Sequence, residues 1–117
     1  MKNENLTKAL EFLVSDYNCT LSYESDRGNR YLYSNDEFKV TVFSWEQFDD
    51  LDINLIYSSV NHHIDPYMEE PEKMNEIRSK RKGIRGFFYN YDRDFWTLVS
   101  LILKNKLSSL GITKNNS

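Results

Sequence analysis

Two adjacent histidines, His62 and His63, stand shortly before Asp65, Glu69 and Glu70. Imidazole and carboxylate both bind zinc or iron, so a metal site is the first chemistry to weigh. The spacing argues against it. Neighbours on an extended chain point to opposite faces. The chain contains neither HExxH nor a Cys/His ligand set. The histidines are expected in a loop, with no metal and no cofactor. Nucleophiles are equally poorly framed. No serine lies in G-x-S-x-G or S-x-x-K. Cys19, the single cysteine, opens an alternating run with Leu21 and Tyr23 and reads as a buried structural thiol. The four glycines, Gly28, Gly83, Gly86 and Gly111, form no phosphate loop. The expectation is a protein that is not an enzyme.

A second candidate chemistry is phosphate binding. In "IRSKRKGIRGFFYNYDRDFW", Arg78, Lys80, Arg81, Lys82 and Arg85 precede a run of aromatics. Cations of this density suit a nucleic-acid backbone. Arg85, Gly86, Phe87 and Tyr89 match four positions of the RNA-recognition signature, but Phe88, Asn90 and Asp92 break it. From Met1 to Glu76 the chain carries 6 Lys and Arg against 16 Asp and Glu; from Ile77 to Ser117 it carries 9 against 2. The acidic part would repel a polyanion. A nucleic-acid-associated regulator therefore remains the alternative, with Arg78 to Arg85 as its contacts.

The elements that must position these residues follow from periodicity. Leu6, Ala9, Leu10, Leu13 and Tyr17 form one helical stripe over about residues 4–16, with Asn3 or Asn5 as cap. The period then becomes two. "CTLSYES", "RYLYS", "EFKVTVFSW" and "LDINLIYSSV" read as four strands, the first three joined by short turns and the fourth by the longer "EQFDD", an antiparallel meander. Phe38, Val40 and Val42 share one face of the third; Thr41, Phe43 and Trp45 share the other. Pro71 to Gly83 reads as an exposed helix, acidic at its start and basic at its end, with a thin stripe of Met74 and Ile77. Asp92 is a candidate cap for a closing amphipathic helix through Phe95, Leu98, Val99, Ile102 and Leu103, stopped by Gly111. Residues 112–117 read as a frayed tail. At 117 residues the chain suits a single α+β domain spanning 1–117.

The remaining signal is acidic. Glu46, Asp49, Asp50 and Asp52 cluster in one connection, and Asp65, Glu69, Glu70 and Glu72 in the next. Such a surface suits a basic protein partner and steers its approach. Tyr31, Tyr33 and Tyr57, with Tyr23, are amphipathic residues of the kind found at interface centres. If helices cover only one face of the sheet, some of them are exposed. The start "MKNENLTKALEF" lacks the apolar stretch of a signal peptide, and no run is long enough to span a membrane. A cytoplasmic location is expected, and the single thiol fits it.

A helix "LTKALEFLVSDY", a meander "CTLSYESDRGNRYLYSNDEFKVTVFSW" continued by "LDINLIYSS", and a closing helix "DRDFWTLVSLILKNKL" together give a layout. That layout resembles the small cytoplasmic immunity proteins of bacterial polymorphic-toxin and contact-dependent inhibition systems. The resemblance implies an acidic single domain that binds and neutralises a cognate toxin domain. It covers most of the chain and transfers no site residue.

Overall fold

The computed structural model describes residues 2–45, 50–79 and 93–114. The first apolar stripe forms two short helices, α1 (Glu4–Ala9) and α2 (Glu11–Ser15), with the helical dihedrals interrupted at Leu10. Asn3 is the cap: its side-chain oxygen accepts from Asn5 N at 2.9 Å and Leu6 N at 3.2 Å. The break does not disturb the stripe, since Leu6, Leu10, Leu13 and Tyr17 are all buried.

Five strands follow, one more than the sequence pattern suggests: β1 (Thr20–Ser25), β2 (Asn29–Ser34), β3 (Phe38–Trp45), β4 (Asp50–Tyr57) and β5 (Val60–Ile64). They form one sheet whose spatial order is their order in sequence, with every neighbouring pair antiparallel. The run "LDINLIYSSV" is not one strand. It turns back at Ser58 and Ser59, and the histidines expected in a loop sit on β5. A two-residue hairpin with both central residues at positive φ normally announces itself by Asn-Gly. Here serines hold those conformations, at φ 53° and 65°. Changing Ser58 to Asn and Ser59 to Gly is expected to raise stability by about 1–2 kcal/mol, because both favour that backbone. Urea unfolding of the double variant measures it; an unchanged or lower midpoint would contradict the turn geometry.

Two short helices leave the sheet, α3 (Pro66–Glu69) and α4 (Pro71–Ser79). Asp65 caps α3 by accepting from Tyr67 N at 3.0 Å, and the Glu69 carboxylate accepts from Asp65 N at 3.3 Å. Met74 and Ile77 are the buried residues of α4, matching its thin stripe. Its expected stop, Gly83, and the candidate cap Asp92 lie outside the described residues. The closing helix α5 (Arg93–Ser109) buries Phe95, Trp96, Leu98, Val99, Ile102, Leu103 and Leu107. Ile112, expected in a frayed tail, is instead held in the core. Gly111 turns the chain at φ 78°, Ile112 N donates to Leu107 O at 2.9 Å, and Ile112 is only 3% exposed in the core.

The helices and one sheet face share a single core. Every fully buried strand residue lies on that face: Tyr31 and Tyr33, Phe38, Val40, Val42 and Ser44, Ile53 and Leu55, and Ile64. They pack with Leu6, Leu10, Met74, Trp96 and Leu103. The opposite face bears no fully buried residue among those described. Among the described residues no helix is long and apolar enough to cross a membrane.

Candidate functional site

The open face can be laid out from the strand register. One row runs Ser22, Leu32, Thr41, Asn54, His63, and the next runs Glu24, Arg30, Phe43, Asp52. Beyond them Trp45 stands opposite Asp50. Leu32, Phe43, Trp45 and Ile56 are half-buried on this face without a helix over them among the described residues. An apolar centre edged by charge is the anatomy of a contact surface.

Two cross-strand pairs give that surface its chemistry. Phe43 opposes Asp52, and Trp45 opposes Asp50. Side chains directly opposite on antiparallel strands have their Cβ atoms about 4.5–5.5 Å apart. Each pair therefore starts an aromatic side chain and a carboxylate from facing positions, and both kinds of group attract a cation. The carboxylate attracts it by charge, and the ring face attracts it through the quadrupole. The Phe43 ring already carries one such guest. The Arg30 guanidinium carbon lies 4.8 Å from its centroid, while Arg30 Nη1 donates to Asp26 O at 2.8 Å.

A polar array flanks these pairs. Asn54 Nδ2 donates to Asp52 Oδ2 at 2.9 Å. That bond fixes the amide orientation and turns Asn54 Oδ1 toward His63 Nδ1, 3.3 Å away. Asp52 Oδ1 lies 3.3 Å from the same nitrogen. Two acceptor oxygens facing Nδ1 assign it the ring proton, leaving Nε2 as the lone-pair nitrogen. His63 and Asp52 keep 57% and 54% of their side-chain surface exposed. His62 points the other way, opposite Leu55 on the helix-facing side.

The acidic and tyrosine residues expected at a partner surface divide accordingly. Asp50 and Asp52 lie on the open face. Asp65 and Glu69 cap α3, and Glu70 reaches Lys73 at 4.0 Å. Glu46 and Asp49 lie outside the described residues. Tyr57 is half-buried on the helix-facing side, where it opposes Phe38. Tyr31 and Tyr33 are corrected outright as surface residues: they are 2% and 1% exposed, inside the core. The Tyr31 hydroxyl accepts from Asn3 N at 2.8 Å and so ties α1 to the sheet. Alternation groups Phe43 and Trp45 on one strand face but does not link them to a binding surface. Their register with Asp52 and Asp50 was the missing information. Of the five cations considered for nucleic acid, Arg78 alone is described, with its guanidinium 5.6 Å over the Tyr67 ring; Lys80, Arg81, Lys82 and Arg85 lie outside the described residues.

The shifted ionisable groups among the described residues sit in or against the core. Burial pushes the Cys19 thiol up to about 11, so it stays protonated and unreactive near neutrality. Burial, then the charge of Asp16, raises Tyr17. Burial raises Tyr33 further, with Tyr31 and Cys19 adding to it. The Tyr33 hydroxyl has no hydrogen-bond partner among the described residues. Tyr33→Phe is accordingly expected to leave stability unchanged or raise it by about 1 kcal/mol, since an unsatisfied buried hydroxyl carries an unrecovered desolvation cost. A loss above about 1 kcal/mol in denaturant unfolding would reveal a partner for that hydroxyl. No group of three or more His, Cys, Asp or Glu able to hold a metal gathers among the described residues. Comparison with protein-family models, curated proteins and solved structures gives no match for this chain.

Proposed function

We propose that the protein is a non-catalytic protein-binding module, an immunity protein of the kind its layout resembles, which neutralises a toxin domain by covering a basic surface. The observation that carries this is the pairing of Phe43 with Asp52 and of Trp45 with Asp50 on a sheet face that no described helix covers. Lysine and arginine side chains are the natural guests of such pairs. The acidic excess over residues 1–76 draws a basic partner in before contact. The half-buried Trp45, at the end of β3, suits an interface anchor. The same reading places the protein in the cytoplasm, where a lone thiol stays reduced.

The test has two arms. A hexa-arginine peptide titrated into isotope-labelled protein should shift the resonances of Phe43, Trp45, Asp50 and Asp52 before any others. A partner captured from the source cells, identified and purified, should then lose about tenfold or more in affinity for Trp45→Ala. Shifts confined to the helix-covered side, or equal affinity for wild type and Trp45→Ala, would sink the proposal.

A further inference from the structure

The open face also carries a histidine whose place beside Asp52 needs no partner to explain it, yet has a consequence for one. We propose that His63 is a proton-operated gate on this face: protonated, it closes Asp52 to a cationic guest, and neutral, it leaves Asp52 open. The inference rests on the cation-receiving role given to the face above.

The geometry carries it. His63 Nδ1 lies 3.3 Å from Asp52 Oδ1 and is held there by Asn54, its direct cross-strand neighbour. Asn54 in turn holds the other carboxylate oxygen at 2.9 Å. The imidazole therefore needs no rearrangement to pair with Asp52; it needs only a proton on Nε2, which is supplied by solvent. With that proton the couple becomes an imidazolium beside a carboxylate, and its summed charge is zero. Without it the couple carries the full negative charge of Asp52 opposite Phe43, whose ring holds the Arg30 guanidinium 4.8 Å from its centroid. Imidazole is the side chain whose ordinary charge change lies between about pH 5 and 8.

Other charges lie around the couple. Asp50 lies two residues before Asp52 on the same face of β4, and Lys39 sits on β3 with Thr41 between it and the Phe43 row. Asp65 lies further along the His63 chain, engaged with Tyr67 N, and Glu69 of α3 accepts from Asp65 N. His62 is on the opposite face of the same strand, which makes it the natural control. It adds the same charge to the molecule as His63 but not to this surface.

The experiment measures hexa-arginine affinity by calorimetry at about pH 7.5 and about pH 5.5. Wild type should weaken on acidification by about two- to fivefold more than His63→Gln, the effect of one exposed ion pair. His62→Gln should weaken as wild type does. Asp52→Asn should start weaker and lose the His63-dependent part. Far-UV circular dichroism at both pH values confirms that each variant is folded. Equal pH responses of wild type and His63→Gln, with binding still mapped to Phe43 and Asp52, would overturn the gate and leave the binding face standing. No binding at either pH would overturn both.

Discussion

Trp96→Ala is expected to lower the unfolding free energy by about 3–5 kcal/mol, the range for emptying a large aromatic site in a packed core. Trp96 is fully buried, the largest such side chain in the described core, and meets Phe95 edge-on with centroids 5.1 Å apart. It lies on α5 beside Phe95, so both rings enter the core within the first turn of that helix. Removing the indole forfeits its transfer energy and leaves a space its neighbours fill only in part. A domain of this size has about 5–15 kcal/mol in hand, so the variant would sit near the edge of folding. Urea unfolding should show a lower midpoint with an unchanged slope, and Trp96→Phe should recover a large part of the loss. A change below about 1 kcal/mol would mean that α5 does not seat its first turn in the core as described.

Gly28→Ala is expected to cost about 2–4 kcal/mol, and for two separable reasons. Gly28 holds φ at 100°, where an L side chain is strained. A Cβ built there would also lie 2.8 Å from Phe43 Cε1, 2.9 Å from Cζ and 3.2 Å from Trp45 Cβ. The Trp45 Cβ is bound to backbone and cannot swing aside, so the turn or the aromatic face must shift. Phe43→Ala removes the ring but not the φ strain. In that background the cost of Gly28→Ala should fall to about 1–2 kcal/mol, and a double-mutant cycle isolates the difference. Equal costs in both backgrounds would contradict the close approach. Binding of hexa-arginine should suffer in Gly28→Ala more than stability alone explains, because the displaced ring is half of the Phe43 and Asp52 pair.

What the sequence made legible follows from how one-sided each pattern is. The α5 stripe is apolar on one side and polar on the other, and its core residues came out as the periodicity requires. The first four strand runs were visible from their period of two and the turn residues that bound them. β5 was not, because serines in place of Asn-Gly concealed its turn and the two histidines broke an otherwise readable Val60, Ile64 alternation. The break at Leu10 was hidden because both helices share one stripe. The site was harder. β2 and β3 are apolar on both faces, with Tyr31 and Tyr33 against Leu32, and Val40 and Val42 against Phe43 and Trp45. Alternation groups such residues but cannot say which group faces the helices. Tyrosine's hydroxyl favoured the surface, yet in Tyr31 it finds a partner in Asn3 N, and in Tyr33 it is buried without one among the described residues. Cross-strand neighbours such as Asp52 and His63 are set by register, which no single run of residues encodes.

The sequential strand order has a consequence for synthesis. Each strand pairs with the one made just before it, so the meander can zip up hairpin by hairpin as it leaves the ribosome. Its inner face, however, waits for α5, which follows all five strands in the chain and supplies Phe95, Trp96, Val99 and Leu103. Until then a nascent sheet would show apolar residues on both sides, Val40 and Leu55 on one, Phe43 and Trp45 on the other. The interval between strand five and the closing helix is thus when this chain most needs a chaperone, and slowing translation there should lower its soluble yield.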